Sequence, residues 1–184
     1  MIQLNTAQFA EWVGRQAWIS LPDPSSWRFT VRTGEGVRSY ECKIAEDSAL
    51  VGCNMARIFL GDIKSPQFPG GLFWIVRTFP DDPDIAFFTR QVLRGCGISD
   101  IVDIGNGFTF FLLGRNEFDT CFTLVALALM FGWDANFVCE GRRFLLEMDD
   151  EPFPRLITDS ISQEFENVTK SLEFRITDLA QKKS

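Results

Sequence analysis

The stretch CFTLVALALMFGW, residues 121–133, runs for thirteen residues without a charge. An apolar segment of this kind escapes water either in a bilayer or in a protein interior. A helix that crosses a bilayer needs about twenty apolar residues, so this one belongs in an interior, covered on nearly every side. Such a helix demands a thick core around it. The aromatic composition fits that demand, with 19 Phe and 5 Trp against a single Tyr. Phe carries no polar handle, so most of these rings are expected inside. A chain of 184 residues is long enough to build that core as one domain.

The remaining elements follow from periodicity. In WRFTVRTGEGVRSYECK, Trp27, Phe29 and Val31 alternate with Arg28, Thr30 and Arg32. This predicts a hairpin that turns at TGEG and returns over Val37–Lys43. A second hairpin is read in DANFVCEGRRFLLEMD, turning at Glu140–Gly141 or Gly141–Arg142. Single strands are expected at 72–77 and 107–113, where short apolar runs are bounded by Gly and Pro. Helices are expected at 6–17, 46–60, 85–94 and 116–130. A fifth, amphipathic helix is read at 160–181, where Ile161, Phe165, Val168, Leu172, Ile176 and Leu179 step by three and four. Ser160 and Gln163 supply its capping box. The sum is one α+β domain over residues 1–184, with a mixed, mostly antiparallel sheet of two hairpins plus single strands, packed by about five helices.

Charge and residue types narrow the function. The net charge of -7 disfavours phosphate backbones and anionic lipid as partners, because both require a basic face. Nucleic acid and membrane are therefore not expected. With no histidine, Ser-His-Asp and Cys-His catalysis and His-bearing zinc sites are excluded. The five cysteines form no CxxC pair and no even framework, and no signal peptide is read at the start, which together imply reduced thiols in the cytoplasm. No cofactor is expected. RGCGISD fails as a phosphate loop, because position 100 is Asp where the pattern needs Gly.

Three segments are candidate contact sites. DDPD brings Asp81, Asp82 and Asp84 together. As a calcium loop it fails, since Ala86 and Val92 stand where Gly and a carboxylate are required. Asp84 is expected to cap a helix beginning at Ile85. EMDDE supplies Glu147, Asp149, Asp150 and Glu151, with Glu147 and Asp149 on one side of a strand. FGWDANF places Trp133 and Asp134 where the buried helix hands over to the second hairpin. These residues read as the contacts of a non-enzymatic, acidic interaction domain of the immunity or defence-associated type, which binds and modulates another protein with a basic surface. One alternative is a metal-assisted hydrolase or nuclease that uses carboxylates among Glu147, Asp149, Asp134 and Asp103. Another is a small-ligand domain with a Phe- and Trp-lined pocket.

Overall fold

The computed structural model of the chain describes residues 1–22, 28–32, 34–42, 49–63, 66, 68–77, 83–97, 109–149, 154–172 and 174–179. In order these form β1 (Ile2–Leu4), α1 (Thr6–Gly14), β2 (Ile19–Ser20), β3 (Thr30–Val31), β4 (Arg38–Cys42), α2 (Ala49–Leu60) and β5 (Gly71–Arg77). They continue with α3 (Pro83–Gly95), β6 (Thr109–Leu113), α4 (Phe118–Phe131), β7 (Asp134–Cys139), β8 (Phe144–Met148), β9 (Arg155–Thr158), α5 (Gln163–Ser171) and β10 (Phe174–Asp178). Eight strands make one sheet in the order β1-β6-β5-β7-β8-β9-β4-β10, and β2 and β3 make a separate ribbon. Each pairing in the large sheet is antiparallel. The chain is thus a single α+β domain, and none of the described helices is long and apolar enough to cross a membrane.

The apolar helix α4 sets the first layer. Its buried residues, Cys121 and Leu124–Leu129, reach around most of its circumference. It packs with α2 and α5 on one face of the sheet, against Phe73, Phe111, Phe137, Leu146 and Leu156. Gly52 lets α2 approach α4 closely, since a Cβ there would stand 3.0 Å from Met130 Cβ and 3.1 Å from the Ala126 carbonyl oxygen. The opposite face is covered by α1 and the β2–β3 ribbon. Asn5 caps α1 in a capping box with Gln8, which aims Phe9, Trp12 and Val13 at the sheet. Phe9 stacks on Phe110 at 4.0 Å, and Phe29 meets Trp74 edge-on at 5.4 Å.

Two expectations are corrected. The segment read as a first hairpin is split between sheets. Val31 pairs with Ile19 in the ribbon, while β4 lies between β9 and β10 in the large sheet. Alternation marks a strand as half-buried without naming its partner, and β4 has both of its edges occupied. The helix read at 160–181 ends at Ser171, and Leu172 is extended with φ -107° and ψ 147°. The chain then returns as β10 along β4. Leu172, Ile176 and Leu179 fit a helical stripe, yet Phe-Arg-Ile-Thr is also a strand-forming run, and pairing with β4 decides between them. The cap of α5 is Ser162, which accepts from the Phe165 amide at 3.1 Å. Helix α4 starts after Glu117, and the Glu117 carboxylate accepts from the Gly114 amide at 2.6 Å.

The centre of the sheet is tight enough to test. A Cβ on Gly71 would lie 2.7 Å from the Phe137 ring and closer still to the Val138 carbonyl. Gly71→Ala should therefore lower stability by about 2 kcal/mol through overpacking, read as a drop in the urea midpoint with unchanged slope.

Candidate functional site

Register partners form rows across the sheet. One row passes through all eight strands: Leu4, Phe110, Trp74, Asn136, Glu147, Arg155, Glu41 and Arg175. It begins apolar beneath α1 and ends as alternating charges. Glu147 sits where the two regimes meet, with the residue only 4% exposed. Arg155 donates to its Oε2 through Nε at 2.7 Å and through Nη2. Oε1 is buried with no hydrogen-bond partner. Burial pushes the Glu147 carboxyl up from its ordinary value, outweighing the lowering by Arg155 and Arg28. Arg28 in turn donates to Asp149, tying the start of the ribbon to the chain leaving β8.

This cluster collects residues that sequence periodicity put on one side of a strand, but each carboxylate already holds an arginine. Glu147 is thereby removed from the set of surface contacts, because a carboxylate sealed from solvent and held by Arg155 through Oε2 offers nothing to a partner. Trp133 is removed as well. At 1% exposure it is part of the core, placed there as Gly132 ends α4 in a left-handed turn at φ 59°. Asp134 is half-buried at the start of β7, on the same side as Asn136. Asp84 is exposed in the first turn of α3, inside the helix instead of just ahead of it. Asp81, Asp82, Asp103, Asp150 and Glu151 lie outside the described residues. Among the described residues no group of three His, Cys, Asp or Glu is placed to hold a metal ion.

A groove of about 220 Å³ lies at the start of α5, lined by Asp62, Arg142, Thr158, Ser160 and Ser162, together with Ile63, Phe144 and Ile161. The Ser162 amide donates to Asp62 Oδ2 at 2.8 Å, so a side chain of the protein already holds this helix end. With one Phe and no Trp, the lining is not the aromatic pocket that a ligand-binding reading anticipates. None of the five cysteines is in a disulfide. Burial raises the thiol pKa of Cys42 and Cys96, raises that of Cys139 to about 12, and raises that of Cys121 well above its ordinary value, with a contribution from Cys139. None of these four is an activated nucleophile at neutral pH.

The feature that sequence reading missed is on α3. That helix is anchored by Leu93 and Val92, while Phe87 is 62% exposed and Phe88 49% exposed. The Phe88 ring touches Phe131 edge-on at 6.2 Å, and its other side faces water. Asp84, Arg90, Gln91 and Arg94 are exposed on the same helix. The available signal was Phe87, whose i+3, i+4 and i+7 neighbours are Arg90, Gln91 and Arg94, a polar stripe.

No protein-family model, curated protein or solved structure matches this chain.

The buried ion pair yields a signed expectation. A carboxyl whose folded-state pKa is raised contributes stability fully below its unfolded pKa of about 4.3, and loses it as pH rises through the folded value. Glu147→Gln, a mimic of the protonated form, should therefore gain on the native chain between about pH 4 and about pH 7. Arg155→Ala strands the carboxylate and should cost about 3 kcal/mol near neutrality. Urea titrations of the three proteins across this range check both, and a Gln variant whose relative stability is flat in pH contradicts the ionisation cost.

Proposed function

We propose that this chain is a non-enzymatic interaction domain that binds and modulates a partner protein, with α3 as its contact helix. The observation that carries the reading is the adjacent pair Phe87 and Phe88, both well exposed on one helix. Burying a Phe side chain is favourable by about 1.5–3 kcal/mol, so two neighbouring rings left in water are a store of binding free energy. Aromatic residues and arginine are the types enriched at the centres of interfaces, and Arg90 and Arg94 share this surface.

The acidic surplus has a different part. A net charge of -7 speeds encounter with a basic partner and sets salt dependence more than affinity. Asp84 is the acidic residue that belongs to the contact helix itself, and Asp81 and Asp82 precede it in sequence. Asp149, with Asp150 and Glu151 after it in sequence, remains a candidate for the same steering. The groove at α5 and the raised thiols give the enzyme and ligand readings no comparable support.

The test compares pull-downs from host lysate by the native chain and by Phe87→Ser/Phe88→Ser. The double variant should keep its melting temperature within a few degrees and weaken capture of a stoichiometric partner at least 100-fold, equivalent to about 2.7 kcal/mol. Undiminished capture of the same partner would move the contact away from α3.

A further inference from the structure

We infer that Glu147 and Asp149 form a proton-binding site, with one proton carried on Oε1 of Glu147 and donated to Oδ1 of Asp149, and that this proton latches the β2–β3 ribbon to the sheet. Each carboxyl group has one oxygen engaged and one left over. Arg155 occupies Oε2 of Glu147, and Arg28 occupies Oδ2 of Asp149. Oε1 of Glu147 and Oδ1 of Asp149 are both buried and have no hydrogen-bond partner. The Glu147 side chain is 5% exposed, so its Oε1 has lost water without gaining a donor. Both oxygens need the same thing. Asp149 directly follows β8, and positions two apart in an extended chain stand about 6.8 Å from each other. A glutamate and an aspartate side chain can close that gap from its two ends.

Space decides which donor serves. Both oxygens are closed to water, whereas a proton adds no volume. No third His, Cys, Asp or Glu among the described residues is placed to complete a metal site. Charge then sets the number of protons. Glu147 is faced by the neutral Asn136 of β7, by Arg155 of β9 and by Arg28 ahead of β3. Asp134 of β7, one step beyond the Ala135–Met148 pair, stands across from Asp149. Further along the row, Glu41 of β4 and Arg175 of β10 offset each other. Among the described side chains, Asp134, Glu147 and Asp149 against Arg28 and Arg155 leave one negative charge, which one proton cancels. Burial and the Asp149 charge both raise the Glu147 carboxyl, against the lowering by Arg155 and Arg28, and a raised carboxyl keeps its proton longer.

The latch is closed with the proton bound. Glu147 is then neutral, and the Arg28–Asp149 pair ties the ribbon to the sheet undisturbed. Once Glu147 is ionised, a second negative charge stands beside Asp149, and the repulsion is relieved when Asp149 moves toward water with Arg28. The raised folded-state pKa gives stability that is complete below the unfolded value of about 4.3 and is lost as pH rises through the folded value. The ribbon therefore loosens on the alkaline side. With two residues per strand, it has little ladder of its own to resist this.

Carbon-detected NMR of the full chain follows both carboxyl groups through a pH titration. Glu147 Cδ should titrate above the ordinary glutamate value of about 4.3, and Asp149 Cγ should shift at the same midpoint, since a shared proton gives both carbons one macroscopic step. The Arg32 amide, which donates to the Trp18 carbonyl at 2.7 Å beside the ribbon strands, should lose hydrogen-exchange protection above that midpoint. The loss should approach about tenfold per pH unit, the limit for one proton. Glu147→Gln should keep this protection flat over the same range, and Asp149→Asn should bring the Glu147 midpoint back toward the ordinary value. A Glu147 midpoint at or below about 4.3 overturns the site, and so does an Asp149 signal that ignores the Glu147 step. Arg32 protection that is flat with pH in the native chain overturns the latch.

Discussion

Strand β5 is buried on both of its faces. Leu72 and Trp74 point one way, Phe73 and Ile75 the other, and all four are shielded from water. A central strand with this character forces a layer onto each side of the sheet, and the rest of the molecule is arranged to supply those layers. One is made by the apolar helix α4 with α2 and α5. The other is made from smaller pieces, the nine-residue α1 and a ribbon with two residues per strand. The first layer reaches from β6 to β4, with Phe111 at one end and Tyr40 at the other. The second covers Phe110, Trp74, Val138 and Leu145 and thins out toward β4 and β10.

Where the second layer thins, side chains change from apolar to charged along a single row. Glu147 lies at that boundary, between Asn136 and Arg155. Its ion pair closes the end of the core without another hydrophobic element, at the expense of a raised carboxyl pKa. The Arg28–Asp149 pair adds a tie between the ribbon and the sheet on the same side. The carboxylates that looked most reactive in the sequence thus serve to seal the second layer.

How much of this was legible depends on whether the information was local. The α4 run, the first helix and the β7–β8 hairpin turning at Gly141 are encoded by neighbours in sequence, and they were read directly. Partner choice is not local. Nothing in the alternation of Phe29 and Val31 distinguishes pairing with β2 from pairing with β4. Nothing in the spacing of Leu172 and Ile176 reveals a vacant edge on β4. The site suffered the same limit. Glu147 and Asp149 were recognised as a same-side pair, but Arg28 and Arg155, which quench them, come from other strands and segments. Most Phe in this chain are core, and only three-dimensional packing shows that α3 is anchored through Leu93 with Phe87 and Phe88 left exposed.

The position of β4 has a consequence for how the chain reaches its fold. Its residues, Arg38–Cys42, find both neighbours in β9 and β10, which lie beyond residue 154. β1 likewise waits for β6, which starts at Thr109. Sheet closure therefore follows contacts of long sequence separation, the type associated with slow folding. On the ribosome β1 and β4 emerge unpaired, and the large sheet is complete only when the last strand has left the exit tunnel. Until then the edges of β4 and the aromatic rows beside it are open, which makes synthesis, rather than the mature state, the stage at which this molecule is most exposed to misassociation.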